Sequence, residues 1–324
     1  MLLSRRLVKV PRWVILIAVV NTALAVLPQV ALYRWVKVYE YYWLYRYLLR
    51  DGQSAAWSKW LSVAVLWTAA LAIGQFVLQH SLGGWLYWLG ERRFDITTPG
   101  IARVVINSRV WLRPYATLPH PNALAGWMLI AGMLASSTSQ LVSWAVIPFT
   151  FSRSATLLLP LSIWWRSKLA AALFLLAGLV LFLGTAHPSA VADRVILSQV
   201  AVKTIAVSPL WGVGLGNFIP AAAPFIRQPV HNIYLLLAAE LGLPVTVVLI
   251  LELSKKIVYL IKLPNYLLAT AVLGVVAIGM VDHYWLTLQQ NVLLLVVLGA
   301  TVTITLHAEN SYRWGGQRKS GTSR

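Results

Sequence analysis

The sequence predicts an all-α polytopic membrane protein with about ten transmembrane helices. Of its 324 residues, 59% are hydrophobic and only 11% are charged, and the mean hydropathy is +0.72, which is far from the composition of soluble domains. Apolar runs of about 20 residues, the length that crosses ~30 Å of hydrocarbon, recur along the chain. Sixteen Trp and thirteen Tyr fit the aromatic belts of a membrane interface. The absence of Cys excludes disulfides, thiolate metal ligands and cysteine nucleophiles.

The expected crossings are the apolar runs between charged or turn-forming segments. They cover roughly residues 13–30, 31–49, 57–79, 121–137, 140–152, 154–165, 169–186, 231–252, 266–284 and 287–307. The second run is so rich in charged and aromatic residues that an interfacial amphipathic helix is an alternative. Residues 143–165 form either one span with Arg153 in its middle or a hairpin turning at Ser152-Arg153. The hairpin is favoured because an unpaired charge at the bilayer centre costs at least ~2.5 kcal/mol.

The distribution of basic residues predicts the topology. Basic side chains between Arg5 and Arg12 precede the first apolar run, and the tail of about 308–324 is also basic. The positive-inside rule therefore places both termini in the cytoplasm, which requires an even number of crossings. Two long hydrophilic stretches, about 80–120 and 187–230, then become outer loops.

We expect the whole chain, 1–324, to form a single membrane domain, since no soluble domain is evident. The formal charge of +18 is spread over many short loops instead of one soluble face. This distribution reflects contact with the lipid bilayer and topology, and no nucleic-acid partner is expected.

Both expected outer loops are net basic. The first holds five arginines against Glu91 and Asp95, and the second holds Arg194, Lys203 and Arg227 against Asp193. Outer loops tend to be depleted in Lys and Arg, so this excess indicates a bound anion on that side. The alternative is that long loops escape the charge bias, and the two explanations remain open.

The second loop is expected to carry an amphipathic helix that ends at Pro209. Its apolar side would hold Val195, Ile196, Val200 and Ile205, and the opposite side Arg194 and Ser198. Such a helix would lie on the membrane surface and present Arg194 to an aqueous site. The alternative is that Arg194 extends only to headgroup phosphates.

Three glycines at 212, 214 and 216 follow this helix. The spacing resembles a dinucleotide-binding fingerprint, but the strand and βαβ unit that give that motif its meaning are missing. A tight turn is expected instead, in which the N–H groups near Gly214 and Gly216 either face an anionic oxygen or have a purely structural role.

Polar clusters stand at the outer ends of four expected helices. They are His120 with Asn122, Arg153, His231 with Asn232, and Asp282 with His283. An imidazole at the start of a helix can accept a proton or hydrogen-bond a leaving oxygen. Asn232 can cap the helix that it precedes. Glu240 lies deeper and needs a partner, because intramembrane carboxylates are rare and usually paired.

Two other chemistries fit this sequence poorly. A metal site from the histidines and Asp282 lacks the usual ligand spacing, so no metal or other cofactor is expected. A serine hydrolase would require a G-x-S-x-G elbow, and the sequence contains none.

The order of several motifs resembles the O-antigen ligase and O-antigen polymerase superfamily of bacterial membrane glycosyltransferases. The motifs are "SRSA", "DR" at the start of a helix, "SPLWGVGLGNF", "HNIYL" and "AELGLP", between roughly residues 150 and 245. Upstream "YWLGERRFDITTPGIA" and "LRPYATLPHPNALAG" and downstream "DHYWLTLQQN" look like forms of the corresponding segments. The chain is shorter, with fewer expected helices, than is usual in the superfamily.

The resemblance implies a GT-C-type helical bundle in the cytoplasmic membrane of a bacterium, with the active site on the outer face. A glycan would pass from an undecaprenyl-diphosphate carrier to a hydroxyl of a glycan, lipid or protein acceptor, with inversion and without a metal. The catalytic residues carried over are Arg153, Arg194 and His231.

The remaining expected substrate-binding positions accompany these three residues. They are Arg227, Asn232, Glu240, Asp282, His283, His120, Asn122, Gly214 and Gly216. A flippase or other transporter of lipid-linked glycans, and a non-catalytic partner in envelope assembly, remain as alternatives.

Overall fold

In this computed structural model the chain is described over residues 9–51, 54–106, 108–164, 166–184, 188–222, 224–263 and 265–320. Most of these residues are helical, which confirms the helical character expected from the sequence. The fourteen α-helices of this part of the chain are α1 Arg12–Ala23, α2 Pro28–Asp51, α3 Ser54–Leu78, α4 Pro121–Leu134, α5 Ser137–Val146, α6 Arg153–Ile163, α7 Lys168–Gly184, α8 Pro188–Val207, α9 Phe218–Ala221, α10 Ile233–Leu241, α11 Leu243–Ile261, α12 Tyr266–Gly279, α13 Tyr284–Thr287 and α14 Gln289–Ser320.

The expectation of an all-α chain needs one correction. Strands β1, Arg103–Ile106, and β2, Arg109–Leu112, pair antiparallel with Arg103 opposite Leu112. They are rich in Val and Ile, residues that favour strands, and they lie in the stretch expected to be an outer loop. Two 3₁₀ helices, Gly84–Leu89 and Ile147–Thr150, complete the regular structure of the described residues.

The helices do not support ten crossings. Among the described residues, two helical segments are long and apolar enough to cross a membrane, Trp57–Leu78 and Gln289–Glu309. The runs expected at 121–165 form helices of only 14, 10 and 11 residues. At 1.5 Å per residue the longest of these reaches about 21 Å, less than the ~30 Å of hydrocarbon.

Of three other expected boundaries, the structure confirms one and changes two. The helix break at Ser152-Arg153 is confirmed, because Phe151 has a φ of 52° and α6 begins at Arg153. The run 231–252 is divided at Gly242, whose φ is 84°. The tail expected from residue 308 continues α14 as helix up to Ser320.

The chain divides into two compact units. Unit 1 comprises Met1–Gly52, Val191–Tyr259 and Val296–Arg324, and unit 2 comprises Gln53–Ala190 and Leu260–Leu295. Each has its own packing and its own set of polar residues.

In unit 2, α4 is the central helix. Its residues from Ala123 to Met133 are all buried, and it packs against α3, α5, α6 and α12. Small residues permit this close approach: a side chain at Gly126 would overlap Tyr284, and one at Gly132 would meet Ser143. The N-terminal end of α4 is thereby fixed beside the start of α6 and the end of α12.

In unit 1, α8 packs on α10 and the segment that joins them. The shared core contains Leu197, Ala201, Phe218, Ile226, Val230, Leu236 and Ala239. The glycine turn, defined here as residues 212–216, lies against the C-terminal end of α10, where Val213 N donates to Ala239 O at 2.8 Å. Gly212 has a φ of 67°, and a Cβ there would overlap the backbone carbonyl of Glu240.

We therefore expect Gly212→Ala to lower the free energy of unfolding by about 2 kcal/mol or more, because strained backbone and overlap add. Thermal unfolding of the purified protein measures the change. The matched control is Gly299→Ala, since Gly299 lies within α14 and a Cβ there would meet only Tyr45 at an ordinary 3.9 Å. An unchanged midpoint for Gly212→Ala would contradict the packing of this turn.

Candidate functional site

Arg113 is the centre of the polar cluster of unit 2. Its Nε donates to Thr150 O at 2.7 Å, and its Nη2 donates to Asn122 Oδ1 at 2.6 Å. Asn122 Nδ2 in turn donates to Asp282 Oδ2 at 3.3 Å. The amide of Asn122 thus connects Arg113 to the buried carboxylate of Asp282, which lies 160 positions after Asn122 in the chain.

The backbone on both sides of Arg113 is bonded to α3 and to the residue that follows it. Tyr115 N donates to Gln75 Oε1 of α3 at 2.9 Å, and Leu112 N donates to Oε1 of Gln79, one residue after α3, at 2.7 Å. Arg113 N itself donates to Ala102 O at 3.1 Å. Backbone hydrogen bonds on either side therefore fix the position from which the guanidinium extends.

The charges of this cluster do not balance. Arg153 is close enough to Arg113 for its charge to act on the pKa of Arg113, together with the opposing charge of Asp282. Burial is the main cause that lowers the pKa of Arg113 to about 10, which leaves the guanidinium charged near neutral pH. Two guanidiniums therefore face one carboxylate, and the excess positive charge suits an anion.

The start of α6 adds further groups to the cluster. Arg153 is the first residue of α6, and the N-terminus of a helix favours negative charge through its exposed N–H groups. Ser152 is 1% exposed, and its Oγ has no hydrogen-bond partner among the described residues. Buried hydroxyls are normally satisfied, so such an exception favours a ligand or functional site.

Two of the histidines of unit 2 stand at the edges of the cluster. His120 is exposed and caps α4, accepting from Asn122 N through Nδ1 at 3.0 Å. His283 follows Asp282, whose Oδ1 accepts from His283 N at 2.9 Å. His283 Nδ1 pairs with Thr287 Oγ1 at 2.7 Å. The sequence-predicted His120, Asn122, Arg153, Asp282 and His283 thus belong to one end of unit 2.

Glu240 in unit 1 finds its partners in the backbone. Its Oε2 accepts from Gly216 N at 2.8 Å and its Oε1 from Phe218 N at 3.2 Å. Gly214 N donates to Glu240 O at 3.1 Å. The N–H groups of both glycines are engaged within the chain, and a role of these positions in substrate binding stays a prediction. Glu240 acts here as the acceptor that closes the glycine turn.

A second amide completes this arrangement. Asn21 in α1 donates to Trp211 O and Glu240 O at 2.9 and 2.8 Å, and its Oδ1 accepts from Leu215 N at 2.9 Å. The glycine turn is consequently held from two sides, by α10 and by α1.

The apolar face expected for α8 meets the protein core in part. Val200 and Ile205 are partly buried and pack against the shared core, together with the buried Leu197 and Ala201. Val195 and Ile196 are 51% and 46% exposed. The placement of this helix on a membrane surface stays a prediction. Arg194 is on the exposed side.

His231 and Arg227 follow members of the shared core directly. Val230 and Ile226 are buried in it beside α8, so the core positions the residues that come after them. Arg227 is exposed and His231 is half-buried. Asn232 caps α10 as expected, since its Oδ1 accepts from Tyr234 N and Leu235 N at 2.9 and 3.0 Å.

Sequence reasoning missed Arg113 as a site residue. It was one of five arginines in the first loop, and no local motif distinguishes it from Arg109, four residues earlier. Gln75 and Asn21 were also missed, although a polar amide inside an otherwise apolar helix is a usable signal.

Comparison of the chain with protein-family models, with characterised proteins and with solved structures found no match.

We expect pyrophosphate to raise the unfolding midpoint of the protein, because a multivalent anion neutralises the positive charge at Arg113 and Arg153 and binds only the folded state. Arg113→Gln should lose most of that increase. The matched control is Arg109→Gln, since Arg109 is exposed at the start of strand β2, and this variant should keep the full increase. Equal shifts in both variants would show that pyrophosphate acts elsewhere.

Proposed function

We propose that the protein is a multi-pass membrane glycosyltransferase that moves a glycan from an undecaprenyl-diphosphate carrier to an acceptor hydroxyl. The proposed fold is a GT-C-like bundle in the cytoplasmic membrane of a bacterium, in which the shorter apolar helices form further crossings. The proposed active site lies on the outer face of that membrane. The order of motifs between roughly residues 150 and 245 is the origin of this proposal.

The observation that carries the proposal is the proximity of two guanidiniums in the cluster around Arg113. The charges of Arg153 and Asp282 both act on Arg113, and Asp282 also accepts from Asn122 and from His283 N. A diphosphate leaving group gains negative charge as the glycosidic bond breaks. Fixed guanidiniums in a partly dry environment stabilise that charge in the transition state.

In this mechanism Arg153 and Arg113 bind the diphosphate. Asn122 and Asp282 are positioning residues, because Asn122 holds Nη2 of Arg113 and Asp282 holds the amide of Asn122. The Thr150 carbonyl fixes Nε, so the direction of the guanidinium is determined by two acceptors. The motif resemblance also gives Arg194 and Arg227, both exposed basic residues, a role in the reaction that stays a prediction.

His231 is assigned the proton transfer. The acceptor oxygen attacks the anomeric carbon, the bond from that carbon to the diphosphate oxygen breaks, and the imidazole takes the hydroxyl proton. Undecaprenyl diphosphate leaves, and the configuration at the anomeric carbon is inverted. A half-buried imidazole directly before the capped start of α10 is suited to this role, because a ring nitrogen can accept the proton of a hydroxyl within hydrogen-bond reach.

The test is transfer from a purified lipid-diphosphate-linked glycan by the full chain in lipid nanodiscs. We expect His231→Ala and Arg153→Ala to reduce turnover by at least about 100-fold, the usual scale for losing a proton acceptor or a charge stabiliser. Arg153→Lys should recover part of the activity, because lysine restores the positive charge but lacks the planar guanidinium that donates two parallel hydrogen bonds.

Arg109→Ala serves as the control and should keep wild-type turnover, since Arg109 is exposed on β2. Full transfer by correctly folded His231→Ala and Arg153→Ala proteins would reject the mechanism. Net movement of the carrier without transfer would instead favour a flippase.

The location of His231 gives a separate test. The sequence contains no cysteine, so one introduced cysteine reports on one position without background. We expect His231→Cys in intact cells to react with a membrane-impermeant maleimide added from outside. A reaction only after the membrane is opened would place the residue in the cytoplasm and reject the proposed topology.

A further inference from the structure

Residues 82–91, the aromatic loop, expose unusually large apolar side chains. Trp88 is 84% exposed and Trp85 67%, and Tyr87 and Leu89 are 48% and 50% exposed. These side chains lie on or directly beside the 3₁₀ helix Gly84–Leu89, within ten residues. Exposed apolar surface this dense is typical of an interaction site.

The aromatic loop is built to hold this shape. The carboxylate of Glu91 accepts from Leu82 N and Gly83 N, both at 2.8 Å, and so closes the loop at its base. Gln75 Nε2 donates to the same carboxylate at 2.9 Å and ties the base to α3. Gly83 has a φ of 76°, a conformation in which other residues are strained.

Basic residues border the aromatic side chains. The guanidinium of Arg93 lies 5.1 Å from the centre of the Tyr87 ring, and Arg92 donates to Pro119 O at 3.0 Å. Both arginines are exposed, whereas Glu91 is 2% exposed. Asp95 is exposed as well, but its carboxylate accepts from the backbone N–H groups of Thr97 and Thr98. Basic charge therefore dominates the exposed rim.

The aromatic loop also lies close to a segment that can cross a membrane. Trp57–Leu78 has the required length and hydropathy, and Leu82 is only four residues beyond its end. Four residues reach at most about 14 Å. The base of the loop therefore lies within about 14 Å of the end of a segment that can cross a bilayer, which is close enough for the loop to reach the headgroup layer.

We propose that the aromatic loop is a fixed membrane anchor, with Trp85 and Trp88 seated in the headgroup layer of a bilayer that contains anionic phospholipid. Indole and phenol rings favour this layer because each has an apolar body and a polar atom. Arg92 and Arg93 add attraction to anionic headgroups. Closure by Glu91 removes the entropy cost of ordering the loop on binding. This anchor is independent of the glycosyltransferase proposal.

Depth measurement on the full chain tests the proposal. The protein is reconstituted in vesicles of phosphatidylcholine and phosphatidylglycerol, and a nitroxide is attached through Trp88→Cys. This label should collide several-fold less often with a water-soluble nickel reagent than the same label at Pro99→Cys. Pro99 is the control because it is exposed in a polar turn. Val77→Cys, 70% exposed at the end of the candidate span, provides the lipid-facing reference. Collisions with oxygen at position 88 should resemble those at Val77→Cys.

The charge contribution is tested with the same label. Replacing Arg92 and Arg93 by Gln, or omitting phosphatidylglycerol, should move position 88 outward and raise its nickel collisions. Nickel collisions equal to those at Pro99→Cys in both lipid mixtures would overturn the proposal. Protection from nickel and oxygen together would also overturn it, because a protein surface would then cover the loop. Trp88 is so exposed that its replacement leaves the fold intact.

Discussion

The fold depends on one constraint, the need to satisfy backbone N–H groups wherever an apolar chain leaves helical structure. Polar side chains projecting from apolar helices meet that need in both units. Glu240 accepts from the glycine turn at Gly216, and Gln75 accepts from the backbone of Tyr115 and Ala116. An orphaned buried N–H is costly, so each such side chain fixes a whole irregular segment. Arg113 lies on one of the segments that are held in this way.

The Arg113 cluster differs from these two sites because its charges are not all matched by one another. Gln75 and Glu240 have their acceptors matched by backbone donors, whereas Arg113, Arg153 and Asp282 leave a net positive charge after their mutual interactions. Burying unbalanced charge works against stability, and a chain selected for packing alone would avoid it. Function is the explanation that such an arrangement favours, and an anionic ligand is its natural complement.

The sequence predicted the helical class, the break at Arg153, the capping role of Asn232 and the gathering of His120, Asn122 and Asp282 at one end of unit 2. These features rest on local signals or on shared helix ends. The helix lengths, the burial of Leu197 and Ala201 on α8 and the hydrogen bonds of Arg113 were not predictable. They depend on which surfaces meet in three dimensions, because composition shows that a segment is apolar without showing where packing interrupts it.

The hydrogen bonds of Gln75 bear on the distance between Arg113 and the membrane surface. Its side chain bonds both the carboxylate that closes the aromatic loop and the backbone two residues after Arg113. One amide thus links the base of the aromatic loop to the backbone beside Arg113. With the tryptophans in the headgroup layer, as proposed, the bilayer surface sets the height of the arginine. The phosphates of the proposed polyprenyl carrier would also lie near that surface, so lipid composition would change how well carrier and arginine match in height.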